Sequence, residues 1–270
     1  MVSPLQLLQG APLAALPHLT LPPIHLESRV GLEVVGLVRD PVWHGRGVPH
    51  GDGRPVLLIP GFLAGDGTLG AMTRWLRELG YGAKCAGIRR NVDCSAAACA
   101  TLERRLEELA DRYGERIAIV GQSRGGVFAR SLAVTRPDLV SGIVTLGSPL
   151  RQMLAVHPLV KAQIGVVGLL GTVGRHGCFK LDCLRGDCCR RFRETQRASF
   201  PDDVGFVSVY SRSDGIVDWR SCLDPGAEHV EIRATHCGMS LNAQAYRAVG
   251  RALGHFAGEA VDDDVWASAA

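Results

Sequence analysis

The chain has no apolar run long enough to cross a bilayer, no charge imbalance that would select a partner, no internal repeat and no even complement of cysteines. The first lack excludes a transmembrane helix. Net charge is +3 over 270 residues, which argues neither for nor against an anionic ligand. Residues 1–23 carry apolar patches such as Ala11-Pro12-Leu13-Ala14-Ala15-Leu16, but no basic start and no unbroken apolar stretch. Pro4, Pro12 and Pro17 interrupt them, so no signal peptide is read there and a cytoplasmic setting is favoured. The nine cysteines pull the other way, because disulfides belong to oxidising compartments. An odd count also leaves at least one thiol unpaired within a monomer.

What is present is a rhythm of short apolar runs and amphipathic stretches. Hydrophobic residues make up 46% of the chain, enough for one large core. Val56 to Ile59, Ile117 to Val120 and Val140 to Leu146 read as strands buried on both faces. Tyr81 to Ala86 is a weaker strand, and Val204 to Tyr210 and Val230 to Ile232 complete the set. Between them, Leu69 to Leu79 is helix-compatible and Gly80 marks its end. Ser95 to Tyr113 places Leu102, Leu106 and Leu109 on one face, and Gly114 stops it. Val127 to Arg136 and Leu241 to Phe256 are further helices. Residues 26–39 fit a short helix or an edge strand. Pro41 to Pro55 reads as an exposed connection. The alternation predicts an α/β fold with a mostly parallel central sheet flanked by helices. The organisation read from it is an N-terminal extension over 1–54, a core over 55–149 and 202–257, an insertion over 150–201 and an acidic tail over 258–270. In such sheets ligands collect at the carboxyl ends of the strands.

One of those ends is Gly121-Gln122-Ser123-Arg124-Gly125, standing between a strand and a helix. That is the setting of a nucleophile elbow, whose turn is too tight for side chains at the flanking glycines. A serine hydroxyl needs a base, and the base needs an acid to orient it. After the elbow come His157, His176, His229, His236 and His255. His236 follows a strand in a loop of small residues and is the expected base. His229 would precede or begin that strand, at its wrong end. Asp214, directly after the strand at 204–210, is the expected acid, with Asp218 as competitor. An oxyanion would need two backbone donors. Arg124 N–H is one. Phe62 N–H, or else Leu63 N–H, is the other.

Together Ile-Pro-Gly-Phe-Leu-Ala-Gly at 59–65, Gly-Gln-Ser-Arg-Gly-Gly at 121–126, Leu-Gly-Ser-Pro at 146–149, Ser-Arg-Ser-Asp-Gly-Ile-Val at 211–217 and Thr-His-Cys-Gly-Met at 235–239 resemble the α/β-hydrolase superfamily, in particular its lipase and esterase-like members. Many of those carry His-Gly where this chain has Pro60-Gly61. The resemblance implies an α/β-hydrolase fold and acyl transfer to water through an acyl-serine intermediate. It further implies a small-molecule ester or lipid substrate, no metal and no organic cofactor. Amidase, thioesterase or acyltransferase chemistry would use the same triad, and a non-catalytic binding protein on the same fold is the rival of another class.

The insertion falls where such proteins carry a cap or lid. Its apolar part, Ile164 to Gly171, is expected to line or cover an acyl pocket, with transient contact to a lipid interface. Its basic part is sparse in aromatics and reads as a solvated face, not a nucleic-acid site. Cys178, Cys183, Cys188 and Cys189, with His176 near, suggest a disulfide staple, free structural thiols or a zinc site. Adjacent Cys188 and Cys189 bond each other only with strain, and Cys237 is a candidate pin for the His236 loop.

Overall fold

The computed structural model describes residues 22–258. Most of the Pro-rich start and the acidic tail therefore lie outside the described residues. A 3₁₀ turn (Ile24–Arg29) runs into α1 (Val30–Arg39), which settles 26–39 as helical. Glu33 and Leu37 are one turn apart on α1 and both face inward, as side chains four residues apart on a helix do. Then follow β1 (Pro55–Ile59), α2 (Gly70–Glu78), β2 (Gly82–Cys85), α3 (Ser95–Tyr113), β3 (Ile117–Gln122) and α4 (Arg124–Thr135). β4 (Val140–Leu146), α5 (Pro158–Thr172), α6 (Arg190–Thr195), β5 (Gly205–Tyr210), β6 (Glu228–Glu231) and α7 (Ala243–Phe256) complete the order.

The six strands form one sheet in the order β2-β1-β3-β4-β5-β6, and every pairing is parallel. β1 and β3 are buried along their whole length, which explains their continuous apolar sequences. Successive residues serve opposite faces. Val56, Leu58 and Val120 join a core with Trp75 of α2 and Tyr246 of α7. Leu57, Ile59 and Ile119 join a second core with Leu102, Leu106 and Leu109 of α3 and Phe128 of α4.

The connection from Pro41 to Pro55 departs from the expected exposed loop. It opens with a 3₁₀ turn, Pro41–His44, in which Asp40 accepts the Val42 N–H at 2.9 Å. The turn drives Val42 to full burial, and its carbonyl receives Trp75 Nε1–H at 2.8 Å. A single core valine among glycines leaves no periodicity to read.

The chain runs from β1 outward to β2, then returns to place β3 on β1's other side. The crevice between the ends of β1 and β3 is therefore a topological switch point, the place where an open parallel sheet binds ligands. The loop at 60–63 and the tight turn at 121–125 both leave the sheet there.

Candidate active site

Ser123 sits at φ 52°, ψ −120° between β3 and α4. A residue with a side chain holds such a conformation only when its surroundings impose it. The glycines make the turn sterically feasible. A Cβ on Gly121 would lie 2.6 Å from the Gly125 carbonyl, and one on Gly125 would lie 2.1 Å from the Ile59 oxygen. The elbow thus wedges against the end of β1, which brings the loop at 60–63 to the serine. A Cβ on Gly61 would be 3.2 Å from Ser123 Cβ.

Asp214 and His236 lie side by side. Asp214 Oδ2 and His236 Nδ1 are 2.7 Å apart, with both side chains buried. Asp214 Oδ1 accepts the N–H groups of Ile216 and Val217 at 2.8 and 2.7 Å, so the carboxylate cannot rotate away. Burial works against a charged imidazole at His236. The charge and hydrogen bond of Asp214, with the charge of Glu27, outweigh it and raise the His236 pKa above its ordinary value. The competitor Asp218 instead caps a 3₁₀ turn, accepting Arg220 N–H at 3.1 Å. Of the other histidines, His229 lies within β6 against the Asp224 carbonyl, and His157 caps α5. His176 and His255 are exposed.

Sequence reasoning missed the groups that hold the histidine loop. Glu27 Oε1 accepts the N–H groups of Gly215 and His236 at 2.9 and 2.8 Å, and its Oε2 accepts Cys237 N–H at 2.9 Å. Glu33 accepts Thr235 N–H at 2.7 Å. A Cβ on Gly238 would lie 2.0 Å from Glu33 Oε2, so a glycine is needed where the loop meets this carboxylate. One carboxylate, Glu27, bridges the loop carrying Asp214 and the loop carrying His236. No local spacing links it to residues 188 to 210 positions on. Cys237 is a free thiol, so no disulfide pins the loop through it.

Asn91 was likewise not singled out. It is buried, its side-chain amide donates to the Pro60 carbonyl at 2.8 Å, and its backbone bridges to Phe62. This fixes the loop that carries the expected oxyanion donor. Leu63 adopts φ 60° just beyond. Arg124 opens α4, so its N–H has no intrahelical partner. Its guanidinium turns the other way, to the carbonyls of Asn91 and Asp93 at 2.8 and 2.6 Å. Burial lowers the Arg124 pKa to about 10, which leaves it charged at neutral pH.

Ser123, His236, Gly61, Phe62 and Arg124 all border one cavity of about 590 Å³. Val160 and Ile164 of α5, together with Leu184 and Phe192, supply apolar wall from the insertion. The disulfide staple expected of that insertion is absent, because all nine cysteines are free thiols. Cys178 and His176 stand outside the thiol cluster that does form, and Cys94 from the core takes a place in it.

Six parallel strands flanked by helices, with the elbow after the third, make this the α/β-hydrolase fold. No family model matches the sequence, and no curated protein does. Solved structures do match in shape. A lipase of Bacillus licheniformis in mature form aligns with a TM-score of 0.54 at 16% identity, covering 75% of this chain and 92% of that one. A monoacylglycerol lipase of Paleococcus ferrophilus gives 0.53 at 16%, covering 76% and 96%. A soluble variant of Saccharomyces cerevisiae monoglyceride lipase, solved with a substrate analogue, gives 0.54 at 17%, covering 78% and 88%. Such identities bear on fold alone.

Proposed function

We propose that the chain is a serine hydrolase acting on carboxylic esters, with Ser123 as nucleophile, His236 as general base and Asp214 as its orienting acid. The observation that carries this is the buried Asp214–His236 pair at 2.7 Å, whose histidine borders the same cavity as a strained serine. His236 takes the Ser123 proton as Oγ attacks the ester carbonyl. The N–H groups of Arg124 and Phe62 stabilise the oxyanion. The tetrahedral intermediate expels the alcohol, which leaves with the proton from His236, and water then repeats the sequence on the acyl-serine.

The cavity supports an apolar acyl group as substrate. Leu159, Val166 and Leu169 of α5, and Val173 just after it, are exposed, beside the α5 residues that line the cavity. This suits a substrate delivered from a lipid interface.

The test is hydrolysis of p-nitrophenyl esters from acetate to palmitate, with labelling by a fluorophosphonate. Ser123→Ala is expected to lose roughly 10⁶-fold in kcat and all labelling while remaining folded. A wild-type protein that neither turns over an ester nor takes the label would overturn the assignment. Labelling without ester turnover would move the reading to thioesters, amides or acyl transfer.

A further inference from the structure

The sulfur atoms of Cys94, Cys183, Cys188 and Cys189 lie within 4.8 Å of one another. Two edges of this cluster measure 3.4 Å (Cys94–Cys189) and 3.7 Å (Cys188–Cys189). A tetrahedral Zn²⁺ with Zn–S bonds of about 2.3 Å requires sulfur–sulfur edges of about 3.8 Å. The cluster therefore already has nearly the size of a tetrathiolate zinc site, and four thiols gathered from two distant segments match its ligand count. We propose that these four cysteines bind one structural zinc ion.

The surroundings suit the charge. Four thiolates on Zn²⁺ carry a net charge of −2, which needs nearby positive groups. Cys94 is the N-cap of the 19-residue α3, where the helix dipole favours an anion. The Arg124 guanidinium donates to Asp93 O at 2.6 Å and Ser95 Oγ at 3.2 Å, on either side of Cys94. The other ligands come from a turn shaped to present them. Arg193 Nη2 donates to the carbonyls of Arg185 and Gly186 at 3.1 and 2.8 Å, bending the chain between Cys183 and Cys188. A vicinal Cys188–Cys189 disulfide is strained, whereas both sulfurs can serve one metal. Four sulfur ligands leave no open position, so the metal is architectural. It joins the start of α3 to the segment whose Cys183, Leu184 and Phe192 wall the cavity. This inference does not depend on the reaction at Ser123.

Metal content of the full chain, purified after expression with zinc, is the test. About one zinc per chain is expected by elemental analysis. Cys94→Ser and Cys188→Ser should each lower it at least tenfold, while Cys178→Ser, just outside the cluster, should leave it unchanged. Co²⁺ in place of zinc should give thiolate-to-metal charge transfer and the visible bands of a tetrahedral ion. Should the serine variants fail to fold, titrating the wild-type protein with a mercurial should release one zinc as four thiols react. Absence of zinc, content indifferent to the two substitutions, or a metal-free chain with these cysteines blocked as disulfides would each overturn the proposal.

Discussion

Asp214 and His236 make the sharpest claim at the scale of single residues, because the raised pKa of His236 has a sign that can be followed. In the proposed mechanism the base must be neutral to accept the Ser123 proton. A pKa raised by Asp214 and Glu27 keeps the imidazole protonated to higher pH. The acid limb of kcat/KM is therefore expected at a midpoint above 6.5, the ordinary histidine value. Asp214→Asn removes the charge and leaves burial, which acts in the opposite direction, so the midpoint should fall. The same change should lower kcat by about 10⁴-fold, as the imidazole loses its tautomer and orientation. A pH–rate profile of the two proteins checks both. Glu27 calls for a separate experiment. Glu27→Gln keeps the shape but offers one acceptor oxygen to three backbone donors. We expect kcat to drop about 10- to 100-fold, the cost of displacing a catalytic group by a fraction of an ångström to an ångström, with KM little changed. The acid limb should also move down with the lost charge. A loss of folded protein without that pH shift would mean that Glu27 is only a structural strut.

At the scale of elements, what the sequence revealed and what it hid have one physical division. Strands buried on both faces and a helix with one apolar stripe print their period on the chain, so β1, β3, β4 and α3 were legible to within a residue or two. The elbow was legible because its glycines are a steric requirement of the turn itself. Contacts made across the fold print nothing locally, and that is why Glu27, Asn91, Val42 and Arg130 escaped. Arg130 of α4 is the clearest case. It is buried with Asp224, Nε to Oδ2 at 2.7 Å, while its Nη1 and Nη2 donate to the carbonyls of Thr195 and Ala198 at 2.7 and 2.9 Å. It ties the helix behind Ser123 to the end of the insertion and to the loop before β6. Removing one partner of such a pair leaves a buried charge without compensation. Arg130→Ala is expected to cost about 3–5 kcal/mol in urea unfolding. Replacing Arg130 by Met and Asp224 by Leu together should cost much less, because no charge is then stranded.

At the scale of the whole molecule, the insertion cannot be treated as a detachable lid. Phe192 belongs to the same core as Leu57 and Phe128, and Thr195 bonds Ser131 at 2.8 Å and Arg130. Deleting residues 160–195 would therefore open the core along with the cavity, and altered selectivity could not be told from partial unfolding. Filling the cavity from its wall avoids this. Val160 and Ile164 of α5 border the cavity, and both are only partly buried, so a larger side chain there takes up cavity volume. Each extra methylene of a bound acyl chain contributes about 0.8 kcal/mol when buried, and a chain that no longer fits loses that gain and meets a clash as well. Ile164→Trp should shift the preferred p-nitrophenyl ester toward shorter acyl groups. It should depress kcat/KM for the longest chains by at least tenfold, while butyrate is turned over near the wild-type rate. Val160→Trp should act in the same direction. If both variants keep the wild-type chain-length profile with an unchanged urea midpoint, the acyl group does not lie along α5, and the cavity admits its substrate from another side.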